Sequence, residues 1–301
     1  GVFTNASRDH VDYHDTVAGY HAVKAEAFSR VLASSSCIEG SDVNLDDPLG
    51  EQIARTAPAP VVGYSLDDTT EHAAVRVVNA RYSMSGTELD IAHDDARFTV
   101  RSPLVGRFNG QNILAAVAYG LLLGLTHEQI ARGIAAVNRI PGRLDGIIVD
   151  GQARVLVDYA HTPDALENVL QALRSVSDTR LVVVFGAGGD RDRGKRPLMG
   201  AVAQANSDVA IVTSDNPRSE EPDRIIDDVL AGMTVDQRVV VEPDRRAAIR
   251  IALHMLDGNT VVLIAGKGHE TYQIIGERVI DFDDRAVALD MLGLSEDEVR
   301  S

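Results

Sequence analysis

The sequence predicts an α/β protein in two units, the second a doubly wound, Rossmann-like sheet. Three observations lead there. From residue 143 onward, apolar runs of strand length alternate with helical stretches. Pro141-Gly142 punctuates the chain just before that alternation begins. Residues 60–105 instead read as short, partly alternating runs separated by Ser-Gly and Asp-Asp turns. Alternating strands and helices joined by short loops imply a parallel sheet covered on both faces. Short runs with tight turns imply a small antiparallel sheet.

Taken in order, residues 1–5 read as the end of a strand with no lead-in, which suggests a chain that starts in mid-sheet. Val17, Tyr20, Val23, Ala27, Phe28 and Val31 fall at helical spacing and predict a helix over 15–32. The antiparallel sheet is carried by 75–78, 82–84, 89–91 and 98–100. A helix pair follows over 109–123 and 127–137, the second opened by Thr126 with Gln129 three residues on, the pattern of a capping box. The first unit then spans 1–140 and the second 141–301. In the second, strands are expected near 146–149, 153–158, 181–185, 208–213, 238–241 and 260–265. Helices are expected near 163–175, 196–206, 222–232, 244–256 and 284–292.

Composition narrows the function. Against 29 Lys and Arg stand 45 Asp and Glu, a net charge of −16, which argues against nucleic acid or an anionic membrane as a general partner. Any anionic ligand must meet a local basic cluster. The lone Cys37 rules out an internal disulfide framework and fits a reducing cytoplasm. No stretch reads as a signal peptide or a membrane span.

Ligands on parallel sheets bind beyond the carboxyl ends of strands, and several loops there carry chemistry. Thr213-Ser214-Asp215-Asn216-Pro217-Arg218 follows an apolar run, and its proline stiffens the turn. Asp215 can take an ammonium group and Arg218 a carboxylate, so the pair suits a zwitterion. In isolation the same tetrapeptide also fits a solvated turn. Residues 186–196 form a glycine-rich loop with Arg191, Arg193, Lys195 and Arg196 as local positive charge. It is not a phosphate-binding P-loop: Arg196 stands where Ser or Thr would hold magnesium, and Asp190 and Asp192 would repel phosphates. Gly266-Lys267-Gly268-His269-Glu270 caps a third strand, where Glu270 could take a second ammonium group. Asp158 ends a further strand, and Thr162-Pro163 starts the helix after it, a plausible anion or nucleotide site. Near the amino terminus, His10 among carboxylates could hold magnesium or manganese. Lys24 falls on the apolar-leaning side of its helix, where partial burial would free its amine for nucleophilic chemistry or carbamylation; a snorkelling surface lysine fits as well.

Together these segments resemble the Mur ligase family. The matching stretches are residues 4–14, 106–112, 141–143, 158–166, 186–199, 215–218 and 266–270, which run in order along nearly the whole chain. The resemblance implies an ATP-dependent ligase that joins an amino acid to the peptide stem of a UDP-muramoyl precursor through an acyl phosphate. It implies a central ATPase domain, lacking its first part, followed by the Rossmann-like domain. By resemblance His10 is a magnesium ligand and Lys24 the carbamylated lysine. Asn109, Asn112, Arg143 and Asp158 match nucleotide-contacting positions. Arg191, Asp215, Asn216, Arg218, Gly266 and Glu270 match the amino-acid site. Arg218 in Asp-Asn-Pro-Arg goes with meso-diaminopimelate rather than lysine, added to UDP-N-acetylmuramoyl-L-alanyl-D-glutamate in peptidoglycan precursor synthesis. ATP and Mg²⁺ are the implied cofactors, and a monomer the implied full-length state. The family's UDP-binding domain and P-loop are not found in these 301 residues, so the chain alone is expected not to run the ligation. A non-catalytic binding remnant and a lysine-adding ligase are the alternatives.

Overall fold

The computed structural model describes residues 1–6, 16–31, 40–57, 60–70, 72–149, 152–296 and 298–299. It divides into two compact units, Gly1–Asn138 and Arg139–Ser301.

The first unit is built on a six-stranded sheet in sequential order: β1 (Val2–Phe3), β2 (Ser41–Asn44), β3 (Val61–Ser65), β4 (Val75–Ser83), β5 (Gly86–His93) and β6 (Ala96–Ser102). Strands β1 to β4 pair in parallel, and β4, β5 and β6 continue the sheet as an antiparallel meander. The expected antiparallel sheet is therefore the distal half of a mixed one. Helix α1 (Val17–Glu26) runs on into a π-helical turn at Ala27–Val31, and α2 (Pro48–Thr56) follows β2. Phe3, Phe28, Val43, Leu49 and Ile53 pack together on one side of β1 and β2. Helix α3 (Arg107–Leu122) lays Ile113, Leu114 and Val117 on Tyr64, Val75, Leu89 and Ile91, and Ile130 of α4 (His127–Ala135) joins them. Thr126 and Gln129 make the expected reciprocal capping box at the start of α4.

Three elements of the first unit, β2, β3 and α2, are not legible as such in the sequence. Strand β2 is Ser-Asp-Val-Asn, with one apolar residue, yet all four residues are buried. Helix α2 did carry a signal: Asp47 caps it by accepting from Leu49 N, and Pro48 occupies its first turn.

In the second unit the elements fall within a few residues of their expected positions. They are β7 (Asp145–Val149), β8 (Gln152–Asp158), α5 (Pro163–Val176), β9 (Arg180–Phe185), α6 (Lys195–Asn206), β10 (Val209–Val212), α7 (Pro222–Leu230), β11 (Val239–Val241), α8 (Arg245–Leu253), β12 (Thr260–Ala265) and α9 (Asp284–Leu292). The sheet order is β11-β10-β9-β12-β8-β7, parallel except for β7. Val155, Val182, Ile211, Val262 and Ile264 pack with Ala248 and Ile249 of α8 and Ala288 of α9. The alternate residues Leu156, Val183, Phe185, Val212 and Leu263 are also buried, so both faces are covered. That explains the uninterrupted apolar runs. A hairpin of β13 (Tyr272–Ile275) and β14 (Arg278–Asp281), unread from sequence, sits between β12 and α9. Among the described residues no helix is long and apolar enough to cross a membrane.

The register places the ends of β8, β9, β10 and β12 level: Ala265 lies beside Asp158, and Val212 beside Phe185. Four loops therefore leave one edge of one sheet.

Candidate amino-acid and nucleotide sites

The turn after β10 is fixed on three sides. Gly189 N donates to the Asn216 carbonyl, joining it to the glycine-rich loop (2.9 Å). Gln273 Nε2 donates to the Asp215 carbonyl (2.6 Å), and Ile274 N to Asn216 Oδ1 (2.9 Å), joining it to β13. Arg218, at a left-handed φ of 53°, pairs through its backbone with Ile274 and Gly276 of the hairpin. A non-glycine residue at that φ persists only when its surroundings over-determine it, and here both backbone polar groups are held. Its guanidinium Nη1 donates to the Gly189 carbonyl (2.8 Å), which aims the fork.

Asp215 is buried, and its Oδ1 has no hydrogen-bond partner among the described residues. Burial raises its pKa, opposed by Arg245 and Lys267. Lys267 Nζ stands 3.7 Å from Asp215 Oδ1. Asn216 Nδ2 donates to Glu270 Oε2 (2.8 Å), which brings the third loop into the same site. Gly266, at a φ of 116°, carries the chain off β12 beside Asp215 in a conformation that side chains resist. Asp215, Asn216, Arg218, Gly266 and Glu270 are thus brought together as expected. Arg191 is exposed on the adjoining loop and donates to the carbonyl of Asp190.

The basic cluster of that loop is corrected. Arg196 is fully buried and bonds Glu220 and Asp228; Arg193 bonds Glu220; Lys195 Nζ donates to the His161 carbonyl. Asp190 accepts from Ser219, and Glu220 is held well below the usual carboxylate range, chiefly by hydrogen bonds from Arg196. Most of the loop's charge maintains the loop. Lys267, Arg245 and Asp284 were not assigned from sequence. Arg245 and Asp284, both fully buried, pair through two hydrogen bonds (2.8 and 2.7 Å), and Arg245 also donates to the Ser214 and Ala265 carbonyls behind the crevice. No motif signalled them, because their partners are distant in the chain.

Asp158 ends β8 with both carboxylate oxygens filled, by Leu144 N and Ala160 N (2.8 Å each). Burial pushes its pKa up to about 6 against those two bonds. Exposed Arg143 sits over the Tyr159 ring (5.8 Å), with His161 and His269 against the same ring. This cationic and aromatic surface fits a nucleotide's phosphates and base. Asp158 itself organises the backbone beneath it. Thr162 caps α5 and Pro163 opens it, as expected.

In the first unit, Asn109 is buried, donates to the Val105 carbonyl (2.8 Å) and accepts from Asn112 (3.2 Å), so it holds the start of α3. Asn112 is exposed. Lys24 is corrected: it is exposed rather than partly buried, with Nζ 5.3 Å from the Tyr20 ring centroid. His10 lies outside the described residues. Among the described residues no cluster of three or more His, Cys, Asp or Glu could hold a metal ion.

Four loops leaving level strand ends at one edge of an open, mostly parallel sheet define the doubly wound α/β class, in which ligands bind beyond the strand ends. Residues 1–120 match the Mur ligase middle domain and residues 142–268 the Mur ligase glutamate ligase domain; the chain belongs to the Mur ligase family. It is 44% identical over 292 residues to the UDP-N-acetylmuramoyl-L-alanyl-D-glutamate–2,6-diaminopimelate ligase of Solibacter usitatus, covering 97% of this chain and 58% of that protein. It is 44% identical over 289 residues to the ligase of that name from Synechococcus elongatus, covering 95% and 57%. The chain thus spans under three fifths of the length of these curated relatives. A solved structure of a ligase of the same name superposes with a TM-score of 0.66 at 35% identity, covering 97% of this chain and 59% of that one. Mycobacterium tuberculosis folylpolyglutamate synthase, at 23% identity and a TM-score of 0.67 over 88% of this chain and 60% of its own, shares the fold.

Proposed function

We propose that this chain carries the amino-acid site and part of the ATP site of a ligase that adds meso-diaminopimelate to UDP-N-acetylmuramoyl-L-alanyl-D-glutamate. The observation that carries this reading is the strand-end cluster in which buried Asp215, whose Oδ1 accepts no hydrogen bond, lies in one turn with the fixed guanidinium of Arg218. Asp215 and Glu270 would take an ammonium, and Arg218, with Arg191 at the rim, a carboxylate of the same molecule. The names of the curated relatives support that choice of amino acid.

Fixing both charges of an amino acid orients its free amine, and orientation lowers the barrier to attack on an activated carboxyl. ATP, when bound, supplies the phosphoryl group that activates the acceptor; in the second unit Arg143 and the Tyr159 surface would meet it, above a backbone held by Asp158. His10 and a carbamylated Lys24 would hold magnesium, which would neutralise charge on phosphoryl oxygens. We infer a cytoplasmic site of action from the substrates.

Calorimetric titration of the chain with meso-diaminopimelate and with L-lysine tests the amino-acid reading. Binding of meso-diaminopimelate is expected; heat with lysine alone would overturn it. ¹³C NMR in labelled bicarbonate tests Lys24: a carbamate signal that vanishes in Lys24→Arg is expected, and one that persists would place the carbamate elsewhere.

A further inference from the structure

Lys267 is fully buried, yet it is an ammonium on a flexible stem. Its Nζ donates to Glu270 Oε2 (3.1 Å) and to Asn216 Oδ1 (3.4 Å), and stands 3.7 Å from Asp215 Oδ1. The Tyr272 ring centroid is 5.6 Å away. It therefore touches one atom on each of the three side chains that shape the ammonium end of the crevice. Burying an ammonium costs several kcal/mol unless opposite charges and acceptors lie close, and here two carboxyl groups and an amide oxygen surround it. The next charges outward are the Arg245–Asp284 pair, which cancel one another. Tyr159 also faces the site, its hydroxyl pushed up by burial and then by Glu270 and Asp215.

The charge count is then specific. Asp215 and Glu270 bring two negative charges, Lys267 brings one positive, and one negative charge remains. We propose that Lys267 is a positioning residue: a built-in cation that holds Asp215 and Glu270 ionised and in place, so that the crevice admits a single ligand ammonium. The inference rests on the amino-acid reading above for the identity of the ligand. Its test does not, because the carboxyl groups can be followed with no ligand present.

In the ligand-free chain, ¹³C NMR titration of the Asp215 and Glu270 carboxyl carbons should show Asp215 losing its proton at higher pH in Lys267→Met. In Glu270→Gln it should lose it at lower pH. Opposite shifts from two neutral substitutions mark an electrostatic role, which a merely structural one would not produce. Calorimetry of meso-diaminopimelate binding near pH 7, in buffers of different ionisation enthalpy, should show more protons released per ligand bound in Lys267→Met than in the unmodified chain. A folded Lys267→Met chain in which Asp215 titrates unchanged would overturn the proposal. Should that variant fail to fold, the unmodified chain decides: the Lys267 ¹⁵Nζ resonance must move with the Asp215 titration, and a resonance indifferent to it refutes the coupling. Failure of meso-diaminopimelate to bind, with both carboxyl shifts as expected, would sink the amino-acid reading and leave this one standing.

Discussion

The glycine-rich loop after β9 and the Asp215–Arg218 turn after β10 leave the same sheet edge, and both look in sequence like charged ligand loops. Their structures diverge. Each is pinned by one fully buried arginine, Arg196 for the first and Arg245 for the second. Around Arg196 the loop settles its charges internally, with Arg193, Glu220 and Asp228 all engaged. Around Arg245 the pairing is completed by Asp284 from another element, and Asp215 Oδ1 is left with no hydrogen bond and one cation, Lys267, at 3.7 Å, against the two carboxylates of the crevice. Charge density in a loop therefore does not measure its capacity to bind; what matters is which charges remain after the loop has held itself together.

The largest effect should come from Arg245→Met. It strands Asp284, fully buried, without its counterion, and should cost about 3–5 kcal/mol of stability in denaturant unfolding. Arg196→Met should cost less, because Glu220 and Asp228 lie closer to solvent and can hydrate. Equal costs would erase the distinction between the two pins. Next, Arg218→Ala should weaken meso-diaminopimelate binding by about 2–5 kcal/mol in calorimetry. An unchanged affinity would mean that Arg218 only holds the glycine-rich loop.

A pH effect follows in size. Asp158 has a folded-state pKa raised to about 6, above its ordinary value. Such a group favours the folded state below about pH 4 and loses that contribution as pH rises through 6. The stability difference between the unmodified chain and Asp158→Asn should change across that window by at most about 3 kcal/mol. Parallel stability curves for the two proteins would show that Asp158 ionises as freely as in the unfolded chain. Smallest of all, Arg193→Ala should leave affinity and stability unchanged within error, since its side chain is 70% exposed. A loss of binding there would return the glycine-rich loop to the ligand site.

How much was legible varied with burial pattern. The second unit's strands, such as Leu181–Phe185 and Val261–Ala265, are apolar throughout because both faces are covered, and runs of that kind can be read directly. In the first unit, Ser41–Asn44 could not be read, because its burial comes from neighbours brought by β1, β3 and α3 rather than from its own hydrophobicity. Lys24 shows the converse: helical spacing suggested a half-buried face, and the fold left it in water.

By itself the sequence determined the α/β alternation, the helix caps at Thr126 and Thr162, and the set Asp215, Asn216, Arg218, Gly266 and Glu270. Local backbone chemistry and short-range periodicity carry the alternation and the caps, and the resemblance to Mur ligases carries the residue set. Only the tertiary structure decided that Arg196 and Lys195 are structural, that Arg245 and Asp284 stand behind the crevice, and that Lys267 lies between Asp215 and Glu270. The physical reason is that a charge's role depends on which opposite charges share its low-dielectric surroundings, and those arrive from residues distant in the chain.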